Sequence, residues 1–243
     1  MHRIIPLIVS VTCFFHCSTQ PQENFDHSKF DNLLKQYVDK VGRVAYTAFS
    51  GNEDFNAYIT SIGGADIDKL SPNDQLAFFI NAYNATVIKN VLDNWPIKSP
   101  MEVDGFFNKI KHKIAGKEMT LDELEHQYTL KIEPVLSHFG LVCAAKSCPK
   151  LIAKAYDGQS VFKQLDENAK FYLNDTENNR LDRENLILYL SEIFKWFPGS
   201  FEEKYGSLKK TAINFMNEED KQFLEDNEVV IKFIKYNWKL NSQ

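Results

Sequence analysis

Cysteine is scarce in this chain, and long apolar runs are missing beyond its first residues. Four cysteines among 243 residues cannot build the disulfide scaffold that replaces a core in small secreted domains. After residue 17 no segment is long and apolar enough to span a bilayer as a helix. Lysines and glutamates are interspersed, and the formal net charge is −5. The chain therefore has no polybasic patch, and no nucleic acid is expected as a partner. A glycine-rich phosphate loop, a Walker pattern and a Gly-x-Ser-x-Gly elbow are all missing. That disfavours nucleotide binding and serine hydrolysis, and no cofactor is implied. Between residues 28 and 240 there are no repeats, linkers or low-complexity stretches.

The N-terminus reads as an export signal. Arg3 supplies the positive region, and Ile4 to Phe15 is a mostly apolar run too short to cross a membrane. Cys17 follows, then the polar Ser18-Thr19-Gln20-Pro21-Gln22. A cysteine that closes a signal and opens a polar tether is the pattern of a bacterial lipoprotein processing site. His16 departs from that pattern, which wants a small residue before the cysteine. Cys13 is the fallback, and a soluble secreted product is the alternative. The expected organisation is a signal over 1–17, a tether over 18–27 and a single globular domain over 28–241. The expected location is the bacterial cell envelope, periplasm or outer membrane. Membrane contact would come only through a lipid on Cys17. Loss of the signal removes Arg3 and takes the net charge from −5 to −6.

The remainder is 44% hydrophobic with 19 phenylalanines, counted over the whole chain, enough for one substantial core. Helical spacing over Phe25 to Lys40 places Phe30, Leu33, Leu34, Tyr37, Val38 and Val41 on one face. Asp54 to Ile62 reads as a second helix. Ser71-Pro72-Asn73-Asp74 is a strong helix start, and the helix it opens, ending near Asn94, carries apolar residues over a wide face. It is expected to be the central buried helix. Phe106 to Met119 reads as strands around an Ala115-Gly116 turn, and Thr120-Leu121-Asp122-Glu123 as a capping box. Ser137 to Cys143 reads as a strand, Val161 to Leu173 as a helix and Asn185 to Leu190 as a strand. Lys195-Trp196-Phe197-Pro198 reads as a core strand end, Ser207 to Glu225 as a helix, and Val229 to Trp238 as a strand covered from both sides. Without βαβ regularity the expectation is α+β: a single domain, its central buried helix packed on a small, mostly antiparallel sheet.

Three groups of residues carry possible chemistry. Asn84 sits on the apolar face of the central helix, with Asn81 on its flank. A buried amide must be hydrogen-bonded, so the pair either pins a loop or serves a site as a polar stabiliser. His126 points away from the stripe of Leu121, Leu124 and Tyr128, with Asp122 four residues before it and Glu125 adjacent. It is either a solvated histidine or a general base or metal ligand oriented by a carboxylate. His27, His112 and His138 show no such setting and read as structural or exposed. Cys143 and Cys148 flank a polar loop with Lys146 and Ser147. Three roles are open to them: a disulfide tying the loop, a reactive thiol at Cys148, or metal binding with His126 or His138. Two cysteines five apart lack the second half of a zinc pattern, so no metal site is assigned.

Five motifs occur in order: Phe78-Phe79-Ile80-Asn81-Ala82-Tyr83-Asn84, Leu124-Glu125-His126, Cys143-Ala144-Ala145-Lys146-Ser147-Cys148-Pro149, Leu190-Ser191-Glu192-Ile193-Phe194-Lys195-Trp196-Phe197 and Tyr236-Asn237-Trp238-Lys239-Leu240-Asn241. Together they resemble the family called domain of unknown function 547, over about residues 30 to 241. The resemblance singles out Asn81, Asn84, Glu125, His126, Ser147, Cys148 and Pro149, and gives Cys148 more weight than Cys143. Ser200-Phe201 departs from the family, which often has an aspartate there. Family members are exported bacterial proteins or C-terminal domains of plant proteins, and no activity follows. Two functional expectations stand. One is an envelope binding or scaffolding module, with an unidentified envelope ligand or protein as its partner. The other is a thiol hydrolase or acyl-transfer enzyme, with Cys148 as nucleophile, His126 as base, Glu125 as its orienter, and Asn81 or Asn84 as stabiliser. Lys146, Ser147 and Cys143 would then bind the ligand or substrate. A metal-binding protein is the third alternative.

Overall fold

The structure, a computed structural model, describes residues 24–243. The expected signal, Cys17 and most of the tether lie outside the described residues. Phe25 and His27, at the end of that tether, already pack on the domain. The Phe25 ring lies 4.9 Å from Phe78, and His27 Nδ1 lies 2.7 Å from the Tyr58 hydroxyl.

Helix α1 (Ser28–Tyr37) buries Phe30, Leu33 and Leu34. It stops short of Lys40 because Val38 turns extended and bridges Val44, which leaves Val41 exposed. A single turn, α2 (Tyr46–Phe49), and α3 (Glu53–Gly63), capped by Asn52, complete the N-terminal layer. Helix α4 (Pro72–Asp93) is the centre of the fold. Ser71 Oγ accepts the Asp74 N–H at 3.1 Å, and Pro72 fills the first turn, as such a start requires. Every residue from Leu76 to Ile88 is buried. A helix covered all round must be apolar or internally satisfied on every face.

The hairpin β1 (His112–Ile114) and β2 (Lys117–Met119) turns at Ala115 and Gly116. Both have positive φ, the two-residue turn that matches strand twist. The capping box at Thr120 forms in full and opens α5 (Leu121–Leu124). The chain continues through a π turn, Glu125–Thr129, into α6 (Leu130–Ile132). Helix α7 (Val161–Leu173) buries Val161, Leu165, Ala169 and Tyr172; Phe162, one step round from that row, is exposed. Helices α2, α3, α5 and α7, with the π turn, sheathe α4.

The stretch 137–143, expected to be a strand, makes no ladder. Leu136–Phe139 is a 3₁₀ turn, and irregular chain follows. Its backbone is satisfied by side chains instead. Asn84 donates to the Gly140 carbonyl and accepts the Val142 N–H, each at 2.9 Å, and Asn168 donates to the Phe139 carbonyl. Gly140 packs closely on Leu165: a Cβ at 140 would lie 2.6 Å from its Cδ2.

The second sheet runs in the order β3 (Arg180–Asp182), β4 (Ile187–Ser191) and β5 (Val230–Ile234). The first pair is antiparallel and the second parallel. Four helices lie between β4 and β5: α8 (Glu192–Trp196), α9 (Pro198–Tyr205), α10 (Leu208–Phe215) and α11 (Glu218–Asp226). The expected strand end at Lys195-Trp196-Phe197 is thus the end of α8. The expected helix over Ser207 to Glu225 is two helices, because Asn217 leaves the first and caps the second. Strand β5 is not covered from both sides. It pairs only with β4 at the sheet edge, and Val230 is 61% exposed. The α+β expectation holds, with two antiparallel strand pairs and one parallel pair among the described residues.

The C-terminus closes the fold as a strap. Residues 237–241 run against the cysteine loop. Lys146 N–H donates to the Lys239 carbonyl at 2.8 Å, and Asn241 N–H to the Ala144 carbonyl at 3.0 Å. Ala145 bridges Leu240, and Ser242 bridges Val44. Among the described residues no helix is long and apolar enough to cross a membrane.

Candidate functional site

The site is assembled from α4, the α5 turn, the cysteine loop, α8 and the C-terminal chain, with Phe107 and His138 added from connecting segments. The π turn after α5 presents Glu125 and His126. His126 Nδ1 lies 3.0 Å from the Asp122 carbonyl oxygen. That oxygen can only accept, so Nδ1 carries a proton. A backbone carbonyl therefore orients the ring, in place of the Glu125 carboxylate expected from the sequence. Glu125 neighbours the Tyr83 phenol on α4, and both line the same space. Burial pushes the Glu125 carboxyl up to about 7, with His126 opposing the shift and Asp122 adding to it. Burial holds the Tyr83 phenol well above its usual range, and the Glu125 and Asp122 charges raise it further. Tyr83 is therefore a neutral donor.

Cys143 and Cys148 form a disulfide, with Cα atoms 6.2 Å apart. Ala144 between them has φ +61° and is fully buried. That is a left-handed conformation costing a non-glycine residue about 1–2 kcal/mol, held here by the strap and the disulfide. Cys143 N–H donates to Cys148 Sγ at 2.9 Å. The Tyr236 hydroxyl lies 3.1 Å from both sulfurs. Burial raises the Tyr236 phenol well above its ordinary value, as do the nearby Tyr172 and Glu125, so it stays protonated over the sulfurs. Ser147 is buried and tied down: its Oγ accepts Asn237 N–H at 3.0 Å, and its carbonyl accepts the Tyr172 hydroxyl at 2.8 Å.

These groups line one cavity of about 200 Å³. Tyr83, Asp122, Glu125, His126, Cys143 and Cys148 meet there with the aromatic side chains of Phe107, Trp196, Phe197, Tyr236 and Trp238. The Trp196 and Trp238 rings stack with centroids 5.9 Å apart, and Tyr236 lies 4.8 Å from Trp196. His138 also lines the cavity, 4.3 Å from Phe197 ring to ring. It is buried, not exposed. Burial, reinforced by His126 and opposed by Glu133, depresses it to about 4, and its Nε2 has no partner.

Glu125, His126, Cys143 and Cys148 line this one space. Asn81 and Asn84 are not part of the cavity lining. Asn81 donates to the Tyr156 carbonyl at 2.8 Å and accepts the Tyr156 N–H at 2.9 Å. Both amides are spent on backbone, and they hold two separate segments rather than one loop. Lys146 is exposed and lines a different groove, with Lys98 and Lys239. Among the described residues no group of three or more His, Cys, Asp or Glu is placed to hold a metal ion. Sequence reasoning missed Tyr83, His138, Trp196 and Tyr236 as lining residues. The clustered aromatics of the last two motifs were the available signal.

A buried central helix, a loop closed by a disulfide and an aromatic cavity beside it define a small α+β pocket domain. Residues 67–173 match the model of the family described as Protein of unknown function, DUF547, and this part of the chain belongs to that family. No curated protein and no solved structure matches the chain. The matched part contributes Tyr83, Asp122, Glu125, His126, His138 and both cysteines to the cavity. Trp196, Phe197, Tyr236 and Trp238 come from beyond it.

Proposed function

We propose that the protein is an exported module of the bacterial cell envelope, lipid-anchored through Cys17, that binds a small ligand in the cavity. The observation that carries the binding reading is that one polar cluster and one aromatic cluster, drawn from distant parts of the chain, line a single preformed space. Ligand sites have this composition: mostly apolar walls with a few convergent polar groups. At about 200 Å³ the space suits a head group or side chain rather than a drug-sized molecule. Binding is favoured over catalysis because the cysteines are joined and the asparagines are consumed by backbone. The anchor rests on the N-terminal pattern alone. It predicts that Cys17→Ser abolishes incorporation of labelled fatty acid.

Amide and indole NMR of the protein with a chemically mixed set of small fragments tests the binding reading. Shifts should gather at the cavity, with the indole signals of Trp196 and Trp238 moving and that of Trp95 still. Shifts spread over other surfaces would contradict it.

One observation favours a second reading, the thiol hydrolase or acyl transferase. Both sulfurs share the cavity with His126 and Glu125. That chemistry needs the disulfide opened first, because a thiolate is the nucleophile. A hydrolytic activity that appears only after reduction and is lost in Cys148→Ala would establish it.

A further inference from the structure

Resting on the binding reading, the geometry points to an organic ammonium cation, the size of a side chain or head group, as the ligand of this cavity. Three observations converge. Among the described residues no lysine or arginine lines the space, whereas Asp122 and Glu125 both do. The Tyr236 hydroxyl is already committed to the sulfurs, and Tyr83 lies beside Glu125. What is left for a ligand on the polar side is mainly the carboxyl oxygens of Asp122 and Glu125. The remaining surface is aromatic faces, with Trp196 and Trp238 stacked beside Tyr236. Aromatic faces attract cations through their quadrupole, tryptophan most strongly, and quaternary ammonium groups are held this way in aromatic cages. Trp196 is 42% exposed, so part of its ring is open to a ligand. His138, neutral and with an unpartnered Nε2, adds no opposing charge.

An anion would meet two carboxyl groups and, among the described residues, no lysine or arginine. A neutral apolar molecule would offer the carboxyl groups nothing. A cation satisfies both clusters at once. It would also draw Glu125 into its charged form and release a proton on binding near neutral pH. The charged or titratable groups facing that carboxyl are Asp122, His126, Tyr83 and Tyr236, and His138 shares the cavity.

The test uses intrinsic fluorescence, because two of the three tryptophans line the cavity. The purified oxidised protein is titrated at fixed ionic strength with tetramethylammonium and choline. Parallel titrations use 3,3-dimethylbutan-1-ol, the neutral isostere of choline, and methanesulfonate. The expected result is saturable quenching by both ammonium ions, at least tenfold tighter than by the isostere. Affinity should fall as the pH drops from 8 to 5, and Glu125→Gln should weaken choline while sparing the isostere. Trp238→Leu, read by Trp196, should weaken both ammonium ions. Equal binding of choline and its isostere would overturn the cation inference and leave the binding reading standing. Preference for methanesulfonate would do the same. Silence to every probe, here and in the fragment screen, would remove both.

Discussion

Asn81 and Asn84 are three residues apart on one helix and do the same work on two different segments. Each uses its donor and its acceptor on the backbone of chain that has no ladder of its own. Removing the Asn84 amide strands the Gly140 carbonyl and the Val142 N–H in the core. At about 1–3 kcal/mol for each orphaned group, Asn84→Ala should cost about 2–4 kcal/mol. For a domain this size that lowers the melting temperature by about 5–15 °C. Lys146→Ala, at an exposed position, should change stability by less than about 0.5 kcal/mol. Equal effects of the two substitutions in a thermal melt would contradict the clamp. Glu125 gives a second residue-scale prediction. Its folded value, about 7, lies above the ordinary 4.5, so between these values the folded state holds the proton more tightly than the unfolded chain does. Its contribution is complete below pH 4.5 and is lost as the pH rises through 7. His138 runs the other way. Depressed from 6.5 to about 4, it favours the fold above 6.5, and that is lost as the pH falls through 4. Glu125→Gln should therefore match the parent near pH 4.5, melt higher at pH 8, and rise in stability with pH between 4 and 6.5. An unchanged profile from pH 4 to 8 would show that Glu125 is not buried as described.

Among the elements, helices declared themselves through their ends. Ser71-Pro72 and Thr120-Glu123 fix two helix starts by local hydrogen bonds, so the starts of α4 and α5 were legible before any tertiary contact. The stretch 137–143 was misread because an apolar run reports burial, not what its backbone bonds to. Here the partners are Asn84 and Asn168, far away in sequence. Strand β5 was misread for a related reason: alternation cannot tell an edge from a centre. The site divides in the same way. His126 stood out because it left the apolar stripe of its own short helix. Tyr236 lies 88 residues from Cys148, and only the closing strap brings them together. The cysteine loop carries its own prediction. Its disulfide spans a sequence separation of five, and loop-closure entropy for so short a loop is worth about 2 kcal/mol. The double variant Cys143→Ser, Cys148→Ser should lose about that much in denaturant melts while keeping its fold. A loss several times larger would mean that the disulfide holds the strap as well as the loop.

At the scale of the whole molecule, the family segment and the rest of the chain divide the cavity between them. Residues 67–173 bring the carboxyl groups, the histidines and the disulfide. The aromatic cover arrives with α8 and the strap, which also ties the C-terminus to Val44 near the start of the domain. The site can therefore form only when the chain has closed end to end, and a ligand seated between the two contributions would report on that closure. The proposed binding module keeps its sulfurs joined, and a thiol enzyme would have to part them. Iodoacetamide labelling of the purified protein without reductant, mapped by mass spectrometry across pH, separates the two directly. A binding module stapled by its disulfide gives no adduct at Cys143 or Cys148 until reductant is added. Fast labelling of Cys148 well below the free-thiol value of about 8.5 would contradict the account and make that sulfur a nucleophile.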